Sequence, residues 1–476
     1  MSTQKSRNHG KGYVAIAIIV VIIVAASSIG YYYIVSSRGG SSFTTYQSIP
    51  KSGTFVSEYP TQSNETAPNA IAVDSHGNVW FTLENASKLA ELIPANGTLR
   101  EYTIPGSHSG GTVTWGIVVQ NSKNLVWFTE QESNAVWSFD MTKHTFTKHP
   151  LGAANALPFD IALDSQGNVW FTELYANKIG EISTSGNLSE TSIPVPGDIE
   201  PAGITVDGSG RVWFTLAGVN SIGSYYQGSF KYYNLTGLIY SPIGIAVGKN
   251  GSVWITQHGP SLISEFNPSS GIFRSISTSV PPPPINASLP YFVYTDSQGH
   301  VWINEHYGNS IAMLDPSTGA MIEYRVPTHH TLAGAISGML TMALSQQSEP
   351  WFTEFFTGSV GTVNVSQPLG VILRVANLSS AAGIPEIQIK KGGSATLALS
   401  VLDPSQTHAG LQAFTGNVTG GLLSYTFSES SGNANLTSNF TITSSASMQP
   451  GACFVTISAI TSDLVVSQVV LVVVTA

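Results

Sequence analysis

The sequence predicts an all-β protein: a seven-bladed β-propeller followed by an immunoglobulin-like β-sandwich, with one N-terminal transmembrane helix. Three observations support this prediction. A tryptophan-centred segment occurs seven times, alternating β-patterns follow its last copy, and an uncharged apolar segment lies near the N-terminus. The predicted parts are a cytoplasmic tail (1–12), a transmembrane anchor (13–35), a linker (36–53), the propeller (54–368) and the sandwich (369–476).

The repeated segment has its clearest copy at residues 163–173, which read L-D-S-Q-G-N-V-W-F-T-E. Successive copies lie 41 to 49 residues apart, and their tryptophans are Trp80, Trp127, Trp170, Trp213, Trp254, Trp302 and Trp351. Each copy reads as a strand, a tight turn with Asp164 and Gly167, and a second strand, with room for two further strands. Four strands in a repeat of this length are typical of a propeller blade, which buries both faces only by stacking against its neighbours.

The last copy lacks a fourth strand, because the chain runs into Pro368 soon after its third. Residues 53–60, which read G-T-F-V-S-E-Y-P, resemble the fourth strands at 97–102 and 319–324. We therefore expect residues 54–59 to complete blade seven. Such closure removes exposed sheet edges from the ring.

Beyond residue 369 the tryptophan repeat stops and alternating β-patterns follow, as at 394–401 and 454–460. Length and turn density favour an immunoglobulin-like sandwich, although the Cys and Trp of antibody domains are absent. The last apolar run, 464–474, is too short for a membrane span and is expected to be a sandwich strand. We expect this part to be a spacer or an adhesive module.

The N-terminal segment predicts export and anchoring. Residues 13–35 contain no charge and are about long enough to cross a bilayer of roughly 30 Å, and Lys5, Arg7 and Lys11 precede them. Basic flanks stay in the cytoplasm, so the protein is expected at the cell membrane, single-pass, with the bulk of the chain extracellular. The alternative is a cleaved signal peptide, with Val24 and Ala26 before the cut.

The composition fits an extracellular domain. Charged residues make up only 10% of the chain, and twelve N-x-[ST] sequons are candidate glycosylation sites. Four of the 19 Lys and Arg residues and none of the 28 Asp and Glu residues precede residue 39, which leaves a net charge of −13 on the remainder. Such a domain would repel phosphate backbones, so nucleic acid is excluded as a partner.

The blade motif P-x-G-I-x-x-D-x-x-G-x-V-W-F-T-E-x-x-x-N-x-I-G fits residues 201–223, with Leu216 in place of Glu, and residues 158–180, with Asp160 in place of Gly. It resembles the virginiamycin B lyase (streptogramin lyase) propellers over about residues 54–365. In those lyases a His just after the Pro that opens a blade acts as base. The resemblance also implies that the Glu ending W-F-T-E helps to hold Mg²⁺ and the lactone substrate.

This chain keeps only part of that pattern. The Glu position is filled in four blades, by Glu130, Glu173, Glu305 and Glu354. The His position holds no histidine in any blade and is occupied by Asn69, Trp115, Phe159, Ala202, Ile243, Tyr291 and Leu340. Because a strand-turn-strand unit returns to the face it left, we expect these two positions to converge near the axis. The resemblance implies that these four glutamates are the candidate ligands of Mg²⁺, which is the one cofactor it suggests.

Two histidines are candidate replacement bases, because His258 and His306 directly follow the Glu position in blades five and six. His329 and His330 are a further candidate pair. The alternative is that His258 and His306 are polar loop residues and that the glutamates bind backbone N–H groups.

Aromatic residues occupy the same predicted face, and Trp115, Phe159, Tyr291 and Tyr307 are the candidate ligand-binding residues. The alternative for them is blade packing. The leading functional hypothesis is recognition of a small molecule, a glycan or a cell-surface protein by a propeller that lacks the catalytic His. The alternative function is a divalent-metal-dependent lyase or lactone-opening enzyme.

Overall fold

In the structure of the protein, a computed structural model, the regular secondary structure is almost wholly β-strand. It describes residues 44–63, 65–106, 111–235, 241–279, 287–328, 338–376, 378, 383–402, 408–416, 423–433 and 435–476. The predicted anchor at 13–35 and the pair His329 and His330 lie outside these ranges. Within them, no helix has the length and apolar character needed to span a bilayer.

Seven four-stranded blades surround a central axis. In blades one to six the strand order from the inside outwards follows the chain, whereas the outer strand of blade seven comes from the N-terminal segment. Three strands precede the first complete blade: β1 (Thr44–Gln47), β2 (Lys51–Ser52) and β3 (Val56–Pro60). Blades one to three comprise β4 (Pro68–Val73), β5 (Val79–Leu83), β6 (Lys88–Ile93), β7 (Thr98–Thr103), β8 (Ile117–Gln120), β9 (Leu125–Glu130), β10 (Ala135–Asp140), β11 (Thr145–Pro150), β12 (Pro158–Leu163), β13 (Val169–Glu173), β14 (Lys178–Ile182) and β15 (Leu188–Ser192).

Blades four to seven continue the same order. Their strands are β16 (Pro201–Val206), β17 (Val212–Leu216), β18 (Ser221–Tyr226), β19 (Ser229–Asn234), β20 (Pro242–Val247), β21 (Val253–Gln257), β22 (Leu262–Asn267), β23 (Ile272–Ser277), β24 (Pro290–Thr295), β25 (Val301–Glu305), β26 (Ser310–Asp315), β27 (Ala320–Arg325), β28 (Met342–Leu344), β29 (Pro350–Glu354) and β30 (Ser359–Val363). Two short 3₁₀ helices lie at Asn121–Lys123 and Ala217–Val219.

The repeated Asp, Gly and Trp build the first hairpin of a blade. Asp164 Oδ1 accepts the backbone N–H groups of Gln166 and Asn168 at 2.9 and 2.8 Å, and its Oδ2 accepts Trp170 Nε1–H at 3.1 Å. Gly167 has a φ of 85°, which the tight turn requires. The same Asp–Trp bond forms in blades one, four and six. The motif's most frequent residues therefore stabilise blades.

The Thr of W-F-T joins neighbouring blades. Thr172 Oγ1 accepts the N–H of Asp160 in its own blade at 3.1 Å and donates to the carbonyl of Ala202 in blade four at 2.6 Å. The same pair of bonds forms at Thr129, Thr215 and Thr256. In these four blades, the second strand is thereby bonded both to its own inner strand and to the inner strand of the next blade.

The predicted ring closure is confirmed. β3 pairs antiparallel with β30, with Val56 opposite Val363 and Pro60 opposite Ser359. The N-terminal segment thus supplies the outer strand of blade seven. The first and last parts of the propeller sequence are held in one sheet.

The predicted linker at 36–53 is wrong for residues 44–53, which contain the strands β1 and β2. β1 pairs with β7 on the outer edge of blade one, whereas β2 extends blade seven beyond β3. Between them, Ser48 N–H donates to the carbonyl of Gly97 at 2.7 Å and Ser48 Oγ donates to the carbonyl of Pro60 at 2.7 Å. This segment therefore bridges the two blades at the closing seam.

The C-terminal part is a two-sheet β-sandwich, whose immunoglobulin-like type stays a prediction. Its strands are β31 (Ile372–Ala376), β32 (Glu386–Lys390), β33 (Ser394–Leu402), β34 (His408–Gly416), β35 (Leu423–Phe427), β36 (Ser431–Asn433), β37 (Leu436–Ser444), β38 (Gly451–Ile460) and β39 (Leu464–Thr475). One sheet has the order β31-β33-β37-β35, and the facing sheet contains β39-β38-β34-β36 with β32 parallel to β39. Phe440, Ile457 and Val472 are buried in the core between them.

The sandwich continues the sheet of blade six. β39 pairs antiparallel with β27, the outer strand of that blade, with Tyr324 opposite Leu464 and Ala320 opposite Gln468. Thr456 Oγ1 also donates to the carbonyl of Ser277 in blade five at 2.8 Å. The expectation of a strand at 464–474 is confirmed. This strand also covers the outer edge of a blade.

Candidate functional site

The predicted aromatic residues and both histidines meet at one end of the axis. The Trp115 ring lies 5.1 Å from Phe159 and 5.7 Å from Tyr291, between ring centroids. His258 and His306 lie 5.1 and 5.9 Å from Tyr291 and 6.0 Å from each other. We call these five residues the axial floor. Since each is at most 9% exposed, the floor is closely packed.

Elements on opposite sides of the ring supply the floor. Trp115, Phe159 and Tyr291 lie at or just before the first strands of blades two, three and six, where the lyase motif has its His. Ala202 and Leu340, at the same position in blades four and seven, belong to the same apolar cluster. Small and aromatic side chains together fill the end of the axis where the resemblance predicts a base.

Both floor histidines are neutral at pH 7. Burial lowers the pKa of His258 to about 4, and a backbone hydrogen bond to the carbonyl of Pro290 opposes this effect. Burial and the charge of His258 lower the pKa of His306 to about 3. His306 Nδ1 is buried and has no hydrogen-bond partner in the described part of the chain. The floor therefore contains one buried imidazole nitrogen whose hydrogen-bonding capacity is unused among the described residues.

A second group of aromatic residues stands above the floor and remains accessible. Tyr307 follows His306, with ring centroids 5.1 Å apart, and Phe356 follows Phe355 in the same way at 5.4 Å. Tyr175, at the equivalent position of blade three, is 51% exposed, and Tyr307 and Phe356 are half-buried. We call Tyr175, Tyr307 and Phe356 the aromatic rim. Of the four predicted ligand-binding residues, only Tyr307 belongs to it.

The four predicted glutamates do not reach the axis. Side chains alternate along a strand, so Glu173 points to the same side as Phe171, which packs in the core between blades two and three. Glu130 accepts the backbone N–H groups of Glu132 and Ser133 at 2.9 and 2.8 Å. The bonds of Glu130 match the alternative stated above, in which the glutamates bind backbone N–H groups.

Glu305 and Glu354 are likewise held within the blade interfaces. Ser310 Oγ donates to Glu305 Oε2, and Thr357 Oγ1 donates to Glu354 Oε2 at 2.9 Å. Burial raises the pKa of both carboxyls, and a second acid beside each, Glu323 and Glu58 respectively, raises it further. Glu305 and Glu354, on the second strands of their blades, thus form buried acid pairs with carboxyl groups of outer strands.

Glu173 is the least satisfied of the four. Both of its carboxyl oxygens are buried without a hydrogen-bond partner among the described residues. Burial, followed by the charge of Glu190, raises its pKa to about 7, although Lys178 opposes the shift. The cause is desolvation of an uncompensated charge.

The arrangement does not fit one Mg²⁺ site built from these four carboxylates. In the described ranges, no three His, Cys, Asp or Glu side chains lie close enough to hold an ion together. The unpartnered oxygens of Glu173, Glu305 and Glu354 belong to three different blade interfaces. Mg²⁺ demands several oxygen ligands in octahedral geometry, which separated single carboxylates do not provide.

Sequence reasoning missed Glu84, an axial carboxyl. Its Oε1 accepts Asn69 Nδ2–H at 2.7 Å and the Thr114 N–H at 3.0 Å. Burial raises its pKa to about 8, and these two hydrogen bonds oppose the shift. Strand alternation could have indicated Glu84. It directly follows Leu83, which fills the Glu position of blade one, and residues directly after this position face the axis, as His258 and His306 do.

Comparison with known proteins identifies the propeller. Residues 47–265 match the model of the virginiamycin B lyase family, and among curated proteins no significant match was found. A solved streptogramin B lyase is 24% identical, with a TM-score of 0.57 over 65% of this chain and 97% of its own. A catalytically inactive virginiamycin B lyase from Staphylococcus aureus with quinupristin is 21% identical, with a TM-score of 0.57 over 68% of this chain and 100% of its own.

The fold alone does not indicate activity. The structure of U3-55K superimposes over 65% of this chain and 98% of its own with a TM-score of 0.52, at only 7% identity. Propellers of one architecture serve unrelated functions, so the likenesses show a fold. Together with the family match, they show that the chain carries a virginiamycin B lyase-like β-propeller.

Proposed function

We propose that this propeller recognises a small molecule at its axial face and does not act as a Mg²⁺-dependent lyase. One observation carries the proposal: the position of the lyase base holds no histidine in any blade, and its residues form the buried axial floor. A general base must lie within hydrogen-bond reach of the proton that it removes. Burial raises the pKa of Tyr291 above its usual range, so its phenol stays neutral.

The aromatic rim supports the choice of ligand class. Tyr175, Tyr307 and Phe356 present flat rings around a packed apolar floor, and such rings give contact area at little entropic cost. A molecule with apolar or aromatic rings of its own would bury them against this rim. The quinupristin bound to the similar Staphylococcus aureus protein is therefore a suitable probe.

A lyase or lactone-opening activity is the second candidate. It is favoured by His306, a floor residue whose neutral ring has a buried Nδ1 without a hydrogen-bond partner among the described residues. Glu305 does not bond to this ring, because its carboxylate accepts from Ser310 instead. A base at His306 would thus act without the carboxylate that commonly orients a catalytic imidazole.

The proposal includes a location. Residues 13–35, with basic residues before them, support a single-pass anchor at the cell membrane that places the propeller and the sandwich outside. On this proposal the full-length chain stays in the membrane fraction after a high-salt wash. Recovery of a soluble form beginning near Ser27 would instead indicate a cleaved signal peptide.

Titration of quinupristin into the purified chain, followed by calorimetry, tests recognition. We expect saturable binding that Tyr307→Ala and Tyr175→Ala each weaken by about 3- to 10-fold, which corresponds to loss of one aromatic contact. Tyr226→Ala is the matched control, because Tyr226 ends β18 at the opposite face of the ring. Binding that is absent, or equally tight in all four proteins, would contradict a recognition site at the rim.

A further inference from the structure

Beyond the axial floor, the inner strands enclose a separate cavity of about 320 Å³. All seven blades contribute to its lining, and Ile and Val are the most frequent residues in it. It extends from Trp115 along the axis to Leu163, Val206 and Val247, whose partial exposure marks the end away from the floor. At roughly 30 Å³ per water, such a space holds about ten water molecules or a compact organic molecule.

One carboxyl group lies in this apolar lining. Asp160 takes the place that Gly203 and Gly244 occupy in blades four and five. Its Oδ1 accepts the Ile161 N–H at 2.8 Å, and its Oδ2 accepts the Ile204 N–H of the next blade at 3.0 Å. Asp160 lies inside the ring, yet its side chain is only partly buried because it lines the cavity. Each oxygen retains a lone pair for a further donor.

Asp160 lacks a cationic partner. None of the ion pairs in the described ranges includes it, and no other carboxylate or amine lines the cavity. Burial raises its pKa to about 7, and the two backbone donors oppose the shift. A charged carboxylate in such surroundings is costly unless a cation or sufficient hydrogen bonds compensate it.

Aromatic side chains complete the surroundings of this carboxyl. Phe292, Tyr294 and Trp115 line the same cavity. The pKa values of Tyr291 and Tyr294 are raised first by burial and then by the charge of Asp160, so this carboxyl acts electrostatically on both phenols. Trp115 Nε1 is buried without a hydrogen-bond partner among the described residues. The cavity wall thus combines aromatic rings with an indole N–H that has no partner among the described residues.

We infer that the axial cavity binds a compact organic cation, with Asp160 as its counter-ion and the aromatic wall as its second contact. A carboxylate gives the charge partner, and ring faces attract a desolvated ammonium group through their quadrupoles. The Ile and Val side chains suit an apolar body attached to that group. This site is distinct from the proposed ligand site, because the axial floor separates it from the aromatic rim.

The site responds to pH in one direction. The titratable groups that face Asp160 are the phenols of Tyr291 and Tyr294, and both remain neutral because their pKa values are raised. Asp160 is therefore the group that titrates, with a pKa of about 7 in the free protein. Ionisation above that value strengthens attraction for a permanent cation, so affinity rises from pH 5.5 to pH 8.5.

Calorimetric titration of the full-length chain, purified in a neutral detergent, with benzyltrimethylammonium tests the inference. This probe keeps its charge at every pH. We expect saturable binding at pH 8.5 that is about tenfold weaker or more at pH 5.5 and in Asp160→Asn. Benzyl alcohol, the neutral control, should bind the wild type and Asp160→Asn equally.

Two further variants keep the result interpretable. Asp160→Gly copies the residue that blades four and five carry at this position, so it gives a second test if Asp160→Asn does not fold. Asp198→Asn removes an exposed carboxylate outside the cavity and should leave the affinity unchanged. No binding at pH 8.5, or equal affinity of the wild type and a folded Asp160 variant, overturns the inference. Either result would leave quinupristin binding at the rim unaffected.

Discussion

At the residue scale, strand alternation separates two neighbours with different roles. Glu173 ends β13 and points into a blade interface, whereas the next residue, Leu174, joins the apolar cluster at the axis. The same step separates Glu305 from His306. The motif predicts that functional carboxylates lie at this end of the blade, but a shift of one residue decides which side chain faces the axis.

The buried position of Glu173 predicts a pH-dependent stability. Its pKa is raised to about 7 in the folded chain, so the folded state binds more protons than the unfolded state between the usual value of 4.5 and about 7. The contribution of Glu173 to the free energy of unfolding is fully present below pH 4.5, the usual pKa of a Glu side chain, and is lost as the pH rises through about 7. We expect Glu173→Gln to remove this part of the pH dependence.

Chemical denaturation at pH 4.5, 6 and 8 measures the effect. The free energy of unfolding of Glu173→Gln minus that of wild type should increase by about 1–3 kcal/mol from pH 4.5 to pH 8. Glu130→Gln is the matched control, because Glu130 occupies the same motif position but accepts two backbone N–H bonds. Parallel stability curves for wild type and Glu173→Gln would contradict the assignment.

At the element scale, closure of the ring depends on two strands with different sequence signals. β3 was predictable because its segment begins with Gly and ends in Glu-Tyr, as the outer strands at 97–102 and 319–324 do, and because blade seven lacked a fourth strand. β1 and β2 were not predictable, because they are short edge strands without a repeat pattern. Their positions depend on contacts such as Ser48 with Gly97 and Pro60, which no local pattern specifies.

Truncation separates these contributions. Compared with a chain that starts at Thr44, removal through Gly53 should lower the melting temperature by only a few °C, since it deletes β1 and β2. Removal through Pro60 should lower it much more, because β3 is then absent and blade seven has an open edge. Thermal unfolding followed by circular dichroism makes the comparison. Equal melting temperatures for the two shorter chains would show that β3 does not stabilise the ring.

At the scale of the whole molecule, the propeller and the sandwich form one continuous body at blade six. The seven-fold repeat made the ring predictable, because the segment that carries the turn, the Trp and the Thr recurs every 41 to 49 residues. The β27–β39 pairing was not predictable, since its strands lie far apart in sequence and any exposed edge can accept a partner. The candidate site was likewise predictable where it depends on the repeat and unpredictable where it depends on contacts between distant segments.

The convergence of Trp115, Tyr291, His258 and His306 followed from the repeat geometry. Their burial did not, because it depends on how differently sized side chains from seven blades pack together. Asp160 stood out in the sequence as a departure from Gly. Its place in a cavity became visible only with all the inner strands assembled around the axis.

Incubation of the purified chain with quinupristin and Mg²⁺, with chromatography of the intact lactone, most directly tests the central claim that the axial face binds without turnover. We expect the lactone to disappear no faster than with heat-denatured chain, because the buried axial floor lacks the lyase's base. A Mg²⁺-stimulated loss of lactone that His306→Ala reduces by about 10²- to 10⁴-fold, the typical contribution of a general base, would contradict the claim and make this propeller an enzyme.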